Sequence, residues 1–414
     1  MKILQLAGYF YPEKAASYYL EENRFQAFAD AGLLTCIYAA RPQRGLSDEL
    51  YQEYKHKKKE MMYDNMVEVH RFAMYREGQN PLLRALRYFL VSAIQFWKGI
   101  RAKGIDVIYV ASTPPTQGAL AALVKKCKKK PFVYNLQDIF PDSLAGTGLA
   151  KKGGLLWKIG RVIENFTYRN ADKIIVISED FKKNIMDKGV PEDKIVVVYN
   201  WVDSQSITPV IPEDNTLFSE FDISKEKFRV VYAGNLGNAQ NISIIIDAAS
   251  RLKEREDIAF VLFGTGGLEN EIRERIEKEQ LTNVRLLPLQ PYERVSEVYS
   301  LGDVDIVSCK AGLGGSAMPS KTWSIMSTGR PVLANFDEGE LKMILEKNDC
   351  GVFTKAGDVD AFVEAIEKLA ANCERCQEMG RNGRQFILKN LTKEVGTKKY
   401  VDVIKQVAGE GLDY

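Results

Sequence analysis

A single lysine, Lys321, stands in Met318-Pro319-Ser320-Lys321, directly after the bare loop Gly312-Leu313-Gly314-Gly315-Ser316. An ammonium at a helix start, behind a loop without side-chain bulk, suits a phosphate, because backbone amides and the helix dipole already favour an anion there. Pro319 and Ser320 fit a first turn, where proline loses no needed donor and serine can cap. Thr322 continues the same expected donor-binding segment. The alternative is a solvated surface lysine. Two further glycine runs offer related chemistry. Val230–Ala233 leads into Gly234-Asn235-Leu236-Gly237, and Phe260–Phe263 leads into Gly264-Thr265-Gly266-Gly267. Each lets backbone amides approach an anion, and each equally meets the steric need of a strand-to-helix turn. Neither completes G-x-G-x-x-G, and the first strand ends Ala7-Gly8-Tyr9, so a dehydrogenase is disfavoured.

Acid–base and metal chemistry find little support. The two histidines are His56, in a charged stretch, and His70, after the strand-like Val67-Glu68-Val69. Asp303-Val304-Asp305 runs straight into an apolar strand, and Asp358-Val359-Asp360 sits where carboxylates cap a helix. Cys373-Glu374-Arg375-Cys376 is a lone C-x-x-C on a late helix, without a second pair. No metal site and no cofactor are expected.

The elements that must position these residues alternate between strand and helix. Short apolar runs at Lys2–Leu6, Val107–Ala111, Phe132–Leu136, Lys173–Ile177 and Ile195–Tyr199 read as buried parallel strands, with helices such as Tyr18–Ala29 and Leu155–Tyr168 between them. The pattern lapses over 204–225, a polar stretch with Pro209 and Pro212 that reads as a linker. It resumes with strands at Arg229–Ala233, Ala259–Phe263, Val284–Leu287, Asp305–Ser308 and Pro331–Ala334. The expected fold is α/β, with two doubly wound domains facing a cleft: 1–203, then 226–385, then a helical segment over 386–414 that packs back on the first domain. A net charge of +2 gives no reason to expect nucleic acid, and six scattered cysteines fit a reducing compartment. The chain opens on a strand and has no long apolar run, so it is expected in the cytoplasm.

Leu82–Ile100 reads as an amphipathic helix. Leu82, Leu86, Phe89, Ala93, Phe96 and Ile100 share one face, widened by Leu83, Leu90, Ile94 and Trp97; Arg84, Arg87, Gln95 and Lys98 lie opposite. It can be a core helix with a solvated polar face, or it can lie on an anionic membrane. The runs His56-Lys57-Lys58-Lys59 and Lys125–Lys130 add positive charge to the same domain.

Taken together, these pieces resemble the retaining GT-B glycosyltransferases of group 1, family 4. The resemblance spans Tyr9-Phe10-Tyr11-Pro12-Glu13, Gln137-Asp138-Ile139-Phe140-Pro141-Asp142-Ser143, Tyr199–Asp203, Tyr232–Gly237 and Met318–Lys321. Within the family the chain looks most like the N-acetylfucosamine transferase-like branch that builds O-antigen and capsule. The resemblance implies that Tyr11, Pro12, Glu13 and Ser17 lie on the acceptor side, and that Gln137 and Asp138 orient acceptor or donor sugar. It places Leu289 and Pro291 near the base, and Glu340 on sugar hydroxyls or simply at a helix N-terminus. The family's Glu-x7-Glu pair falls on Ser316 and Ser324, its active-site histidine on Gln137, and its Arg and Lys after the first glycine loop are absent from Asn238–Asn241. Lys321 is then the remaining candidate for the phosphate charge. The implied activity moves a sugar, an N-acetylated deoxyhexosamine or hexosamine, from a nucleotide diphosphate such as UDP to a lipid-linked saccharide, with retention, in bacterial surface polysaccharide synthesis. A peripheral contact with the inner face of the plasma membrane goes with such an acceptor. The competing readings are a nucleotide-sugar epimerase of the same fold and a non-catalytic assembly partner.

Overall fold

The computed structural model describes residues 1–13, 18–43, 46–75, 81–143, 151–314 and 318–409, the side chains of 81, 82, 84 and 85 excepted. The chain divides into two compact units, Met1–Tyr199 with the segment from Glu394 onward, and Asn200–Lys393.

The first unit holds β1 (Lys2–Ala7), β2 (Leu34–Ala40), β3 (Lys59–Met62), β4 (Val67–Phe72), β5 (Val107–Ala111), β6 (Phe132–Leu136), β7 (Lys173–Val176) and β8 (Ile195–Val197). They form one sheet in the order β3-β4-β2-β1-β5-β6-β7-β8, parallel except where β3 pairs with β4. Its central strands are apolar on both faces, as a sheet covered by crossover helices requires. The Lys393–Ala408 helix joins this unit: Tyr400 is buried, its hydroxyl donates to Asn135 Oδ1 at 3.0 Å, and its ring meets Tyr109 edge-on. The expected return of the C-terminal helix is thus observed. The Cys373–Asn390 helix stays with the second unit.

The second unit holds β9 (Phe228–Asn235), β10 (Ile258–Thr265), β11 (Val284–Leu287), β12 (Val304–Ser308), β13 (Val332–Phe336) and β14 (Gly351–Lys355), all parallel, in the order β11-β10-β9-β12-β13-β14. This is the doubly wound order 3-2-1-4-5-6, with its switch point between β9 and β12. Crevices outside the carboxyl ends at such a point are where open α/β sheets bind ligands.

Three strands stand outside the expected set. β3 mixes polar residues into the pattern, β14 is a half-exposed edge, and β2 is an apolar run the expectation passed over. The stretch 204–225, expected as a linker, is built into the second unit. Leu217, Phe218 and Ile223 are buried in the cluster that holds Val261 and Phe263, and the amides of Thr208 and Val210 donate to Ser296 Oγ and Ser300 Oγ. Its polar composition serves side-chain-to-backbone bonding rather than freedom.

The Cys373–Asn390 helix packs on the Lys321–Ser327 helix through Gly380, where a Cβ would stand 1.9 Å from the Gly329 carbonyl oxygen. Alanine favours a helix over glycine by about 1 kcal/mol, but overpacking against backbone costs about 1–3 kcal/mol. Gly380→Ala is therefore expected to lower stability, read as a lower urea midpoint with an unchanged m-value.

Candidate active site

The carboxyl ends of β9 and β10 are held so close that side chains do not fit between them. The strands stay in register to Gly234↔Gly264 and Asn235↔Thr265. A Cβ on Gly264 would stand 2.6 Å from the Gly234 carbonyl oxygen, and one on Gly266 would stand 2.5 Å from that of Leu236. The loop is sewn by Leu236 N donating to Thr265 O and Leu268 N to Leu236 O, both at 2.9 Å. Leu236 itself is buried. For Gly264 and Gly266 the steric reason accounts for the glycine.

Gly234 has a second reason. Its φ of +143° disfavours other residues, and a Cβ there would stand 2.9 Å from Lys321 Nζ. Lys321 opens the Lys321–Ser327 helix, donates to Ala233 O at 3.1 Å and lies 4.1 Å from the centre of the Tyr232 ring. The Tyr232 hydroxyl in turn donates to Asn235 O at 2.8 Å. No carboxylate forms an ion pair with Lys321 among the described residues. Part of the side chain reaches solvent, yet packing around the ammonium removes enough water to lower its pKa to about 8.

The surrounding turn departs from expectation in one respect. Ser320 makes no side-chain capping bond; the turn closes through Thr322 N to Pro319 O at 3.0 Å and Trp323 N to Ser320 O at 3.1 Å. A helical φ and ψ at Ser320 turn its hydroxyl away from the cap geometry. Thr322 is buried, with its hydroxyl unpartnered among the described residues. Ser324 follows half-buried; Ser316 lies outside the described residues. Asp337, which sequence reasoning missed, fixes the preceding loop by accepting the amides of Gly312 at 3.0 Å and Gly314 at 2.7 Å. A carboxylate one residue past β13 was the available signal. Lys310 was also missed: it is exposed at the end of β12, and its amide donates to Ala239 O.

The other expected donor residues lie further round the same carboxyl edge. Asn235 Nδ2 reaches Gln240 Oε1 at 3.4 Å, and a Cβ on Gly237 would crowd both side chains. Thr265 Oγ1 is engaged by Glu269 at 3.0 Å. Leu289 and Pro291 are exposed after β11, and Glu340 is buried at the start of the Glu340–Lys347 helix. No contact with Lys321 is seen for these three.

In the first unit Gln137 and Asp138 follow β6, with both amides on Ser112 Oγ at 3.1 and 3.3 Å. Gln137 Nε2 donates to Asn135 Oδ1 at 2.9 Å, and Tyr400 OH stands 3.4 Å away. Ser112 and Tyr400 were not singled out in the sequence. The Asp138 carboxyl is raised by burial of its oxygens, against the Ser143 hydroxyl and the Ile139 amide, which lower it. On the expected acceptor side, Pro12 and Glu13 are buried. Glu13 accepts the Gln43 amide at 2.7 Å, and Tyr11 offers its carbonyl to Arg71. Ser17 lies outside the described residues. The one cluster of possible metal ligands among the described residues, Cys36, Glu68 and His70, already has Glu68 paired to Lys59 at 2.7 Å and Lys2 at 3.5 Å.

Two doubly wound sheets, parallel except for β3, make a GT-B fold, with a cation at the switch point of the second. Comparison with known proteins gives the class its family. Residues 35–206 match the model "Glycosyltransferase Family 4", and residues 213–386 match "Glycosyl transferases group 1". WcaI of Escherichia coli (strain K12), named for colanic acid biosynthesis as a glycosyl transferase, is 27% identical over 86% of this chain and 88% of its own. WbjE of Pseudomonas aeruginosa, named as a glycosyltransferase, is 24% identical over 75% and 77%. The crystal structure of Anabaena Alr3699/HepE in complex with UDP superposes with a TM-score of 0.73 at 17% identity, covering 98% of this chain and all of that one. The chain belongs to the group 1, family 4 glycosyltransferases.

Lys321 makes stability depend on pH in a definite direction. Its folded pKa near 8 lies below the unfolded value of 10.5, so between those values the unfolded chain binds more protons and stability rises with pH. Urea unfolding of the wild type and Lys321→Met at pH 7.5 and pH 10 is expected to show the difference moving in the wild type's favour at pH 10. An unchanged difference would mean a fully solvated ammonium.

Proposed function

We propose that this glycosyltransferase takes a UDP-sugar and transfers its N-acetylated deoxyhexosamine or hexosamine, with retention, to a lipid-linked saccharide of a bacterial surface polysaccharide. The observation that carries the donor side is the Lys321 ammonium, held against Ala233 O at the β9/β12 switch point without a carboxylate partner among the described residues. A fold neighbour crystallised with UDP supports the choice of nucleotide, and the name of WcaI supports the polysaccharide context.

As the glycosidic bond loosens, negative charge grows on the leaving diphosphate, and fixed donors in place before the reaction give the largest share of stabilisation. Lys321 supplies the full charge. The amides around Gly312 and Gly314 are already spent on Asp337, so they stiffen the loop rather than bind the donor. Departure and attack on one face, with a diphosphate oxygen taking the acceptor proton, needs no protein nucleophile. Gln137 and Asp138 orient a sugar in this scheme.

The lipid side rests on a reversal of the expected helix. In Pro81–Arg101 two of the residues expected on the polar face, Arg87 and Gln95, point inward. Gln95 is fully buried, donates to Ala7 O at 2.8 Å and Tyr38 O at 2.9 Å, and accepts from Gln117. Arg87 is buried and donates to Tyr75 O. Leu86, Phe89, Leu90 and Trp97 face out instead, Phe89 being 69% exposed. The Gln117–Lys128 helix packs between this helix and Leu155–Asn170, which exposes Leu155, Leu156, Ile159 and Val162. Exposed Lys126, Lys129, Lys151, Lys152 and Lys158 lie on or beside these helices. Much of the charge expected from the lysine runs is consumed: Lys57 pairs with Glu60, Lys59 with Glu68, Lys125 with Asp172, and Lys128 bonds Ala102 O. An apolar face rimmed by exposed lysines without carboxylate partners among the described residues matches an anionic bilayer surface. No described helix is long and apolar enough to cross a membrane.

UDP is expected to raise the melting temperature, with or without EDTA, and its affinity is expected to fall as pH rises through about 8, where free Lys321 loses its proton. Lys321→Ala should abolish that pH dependence and cost about 2.7–4 kcal/mol, roughly 10²- to 10³-fold in turnover. Absence of any shift with nucleoside diphosphates at millimolar concentration would reject the donor reading.

Sedimentation with phosphatidylglycerol vesicles is expected to carry the protein down at low salt and release it at high salt. Phe89→Glu and Val162→Glu should each weaken this without changing unfolding, because both side chains are exposed. Retention in the supernatant at low salt would reject the membrane contact.

A further inference from the structure

A second cationic site lies at the opposite, amino edge of the same sheet. A cavity of about 700 Å³ opens where β12 and β13 begin, with Asp303, Arg330 and Pro331 in its wall and Arg381, Arg384 and Leu388 from the Cys373–Asn390 helix. That volume is within the range of small-molecule sites. Pro209, Ile211 and Pro212 of the 204–225 stretch form an apolar side, where Ile211 and Leu388 are exposed.

The charges in this wall do not balance. Among the described residues no carboxylate pairs with Arg330, Arg381 or Arg384. Asp303 is already neutralised by Arg229, at 2.9 Å, which also donates its amide to it. Asp305, just behind, is fully buried with neither carboxyl oxygen hydrogen-bonded, and burial holds it well above the usual carboxylate range despite Arg330 nearby. Burial disfavours its charged form, so it is a poor counter-ion for the arginines beside it. Arg330 donates to Ser300 O at 2.7 Å, while its buried Nε has no partner. Arg384 donates to Ser327 O, and burial lowers its pKa, so its charge is poorly solvated. Two guanidiniums whose hydrogen bonds run to backbone carbonyls, and a third that is exposed, line one cavity. Guanidinium forks match phosphate oxygens in pairs, and a bound dianion would relieve the desolvated cations.

We propose that this cavity binds a small phosphate-bearing ligand, a monoester or diphosphate with an apolar portion, at a site separate from the Lys321 site. The apolar wall takes the ligand's body and the three arginines its phosphate. A prenyl phosphate and a free phosphorylated metabolite share this chemistry. The bland alternative is that Arg330 and Arg384 only cross-link backbone carbonyls.

Calorimetric titration of the full chain with inorganic pyrophosphate and with geranyl diphosphate tests the proposal. It is run on the wild type, Lys321→Met, Arg381→Gln and Arg384→Gln, with circular dichroism to check folding. At least one probe is expected to bind Lys321→Met as it binds a site of the wild type, and to lose tenfold or more in affinity in Arg381→Gln, whose side chain is exposed and whose fold should be unaffected. Tighter binding of geranyl diphosphate, reduced by Ile211→Ser, identifies a prenyl phosphate source; equal binding of the two probes identifies a free phosphate compound. No binding of either probe at millimolar concentration overturns the proposal, as does binding that survives in both arginine variants. Binding lost only in Lys321→Met overturns it too, since that places the phosphate at the other edge. Because the readout does not use activity or UDP, failure of the donor reading leaves this result interpretable.

Discussion

An ammonium fixed in place with no carboxylate partner among the described residues is the constraint around which the second unit is arranged. Lys321 has one carbonyl and one aromatic face for company. A desolvated cation–π contact is worth about 2 kcal/mol, and a hydrogen bond from a charged donor about 1.5–3 kcal/mol. Together they hold the side chain in position but do not restore what water gave it, as the depressed pKa near 8 records. Rigidity has to come from the backbone instead. The strand register that carries β9 and β10 past Gly234 and Gly264 and the Tyr232 bond to Asn235 O fix the backbone against which that charge lies. Each feature is modest; their common effect is to hold the cation against one carbonyl and one ring.

The first unit is organised by the opposite requirement, polar groups that must not be left bare. The carbonyls of Ala7 and Tyr38 at the ends of β1 and β2 need donors once a helix covers them, and Gln95 supplies both bonds from one amide. With Gln95 and Arg87 inward, Leu86, Phe89, Leu90 and Trp97 go outward. A buried glutamine with its bonds made is tolerable, whereas unpaired backbone carbonyls would cost more than the exposed apolar area. The expected apolar face is split: Leu86 and Phe89 are exposed, whereas Phe96 and Ile100 pack against the core. The periodic pattern does not say which face is inside, because that depends on acceptors contributed by strands far away in sequence.

The same distinction separates what was legible from what was not. Strands whose two faces are both buried stand out as runs of Val, Ile and Leu, so the alternation and the two-sheet class follow from sequence. β3 is half-polar and β14 a half-exposed edge, so their neighbours make them strands; β2 is an apolar run that sequence reasoning passed over. The polar 204–225 stretch reads as a linker because its few large apolar residues, Leu217, Phe218 and Ile223, have no period of their own. For the glycine loops, sequence leaves phosphate approach and steric fit equally open. The register resolves this residue by residue: Gly264 and Gly266 answer to backbone crowding, while Gly234 also clears room for Lys321. Lys321 was legible as an unusual residue type in an unusual place. Asp337 and Tyr400 were not, since each acts on a segment it meets only through the fold.

Ser324 gives the absence of a partner for Lys321 a physical meaning. Residues three apart on a helix are neighbours on its surface, so a glutamate at 324, where the wider family carries one, would lie within reach of the Lys321 ammonium. A carboxylate there would raise the lysine's pKa, stabilise the empty site, and compete with a diphosphate for the same charge. A serine does none of these. It can still offer a hydroxyl to a ribose, with a weaker bond than a carboxylate makes, so nucleotide recognition loses strength on the sugar side. In the proposed donor site the balance on the phosphate side reverses: with no carboxylate to displace, a contact between Lys321 and a donor diphosphate would be offset by desolvation of the diphosphate, the ammonium having already lost much of its water. If the donor binds as proposed, serine in place of the carboxylate would shift binding free energy from the ribose, which does not change charge during transfer, to the diphosphate, which does. Interactions that strengthen as charge develops accelerate the chemical step, and those that stay constant do not.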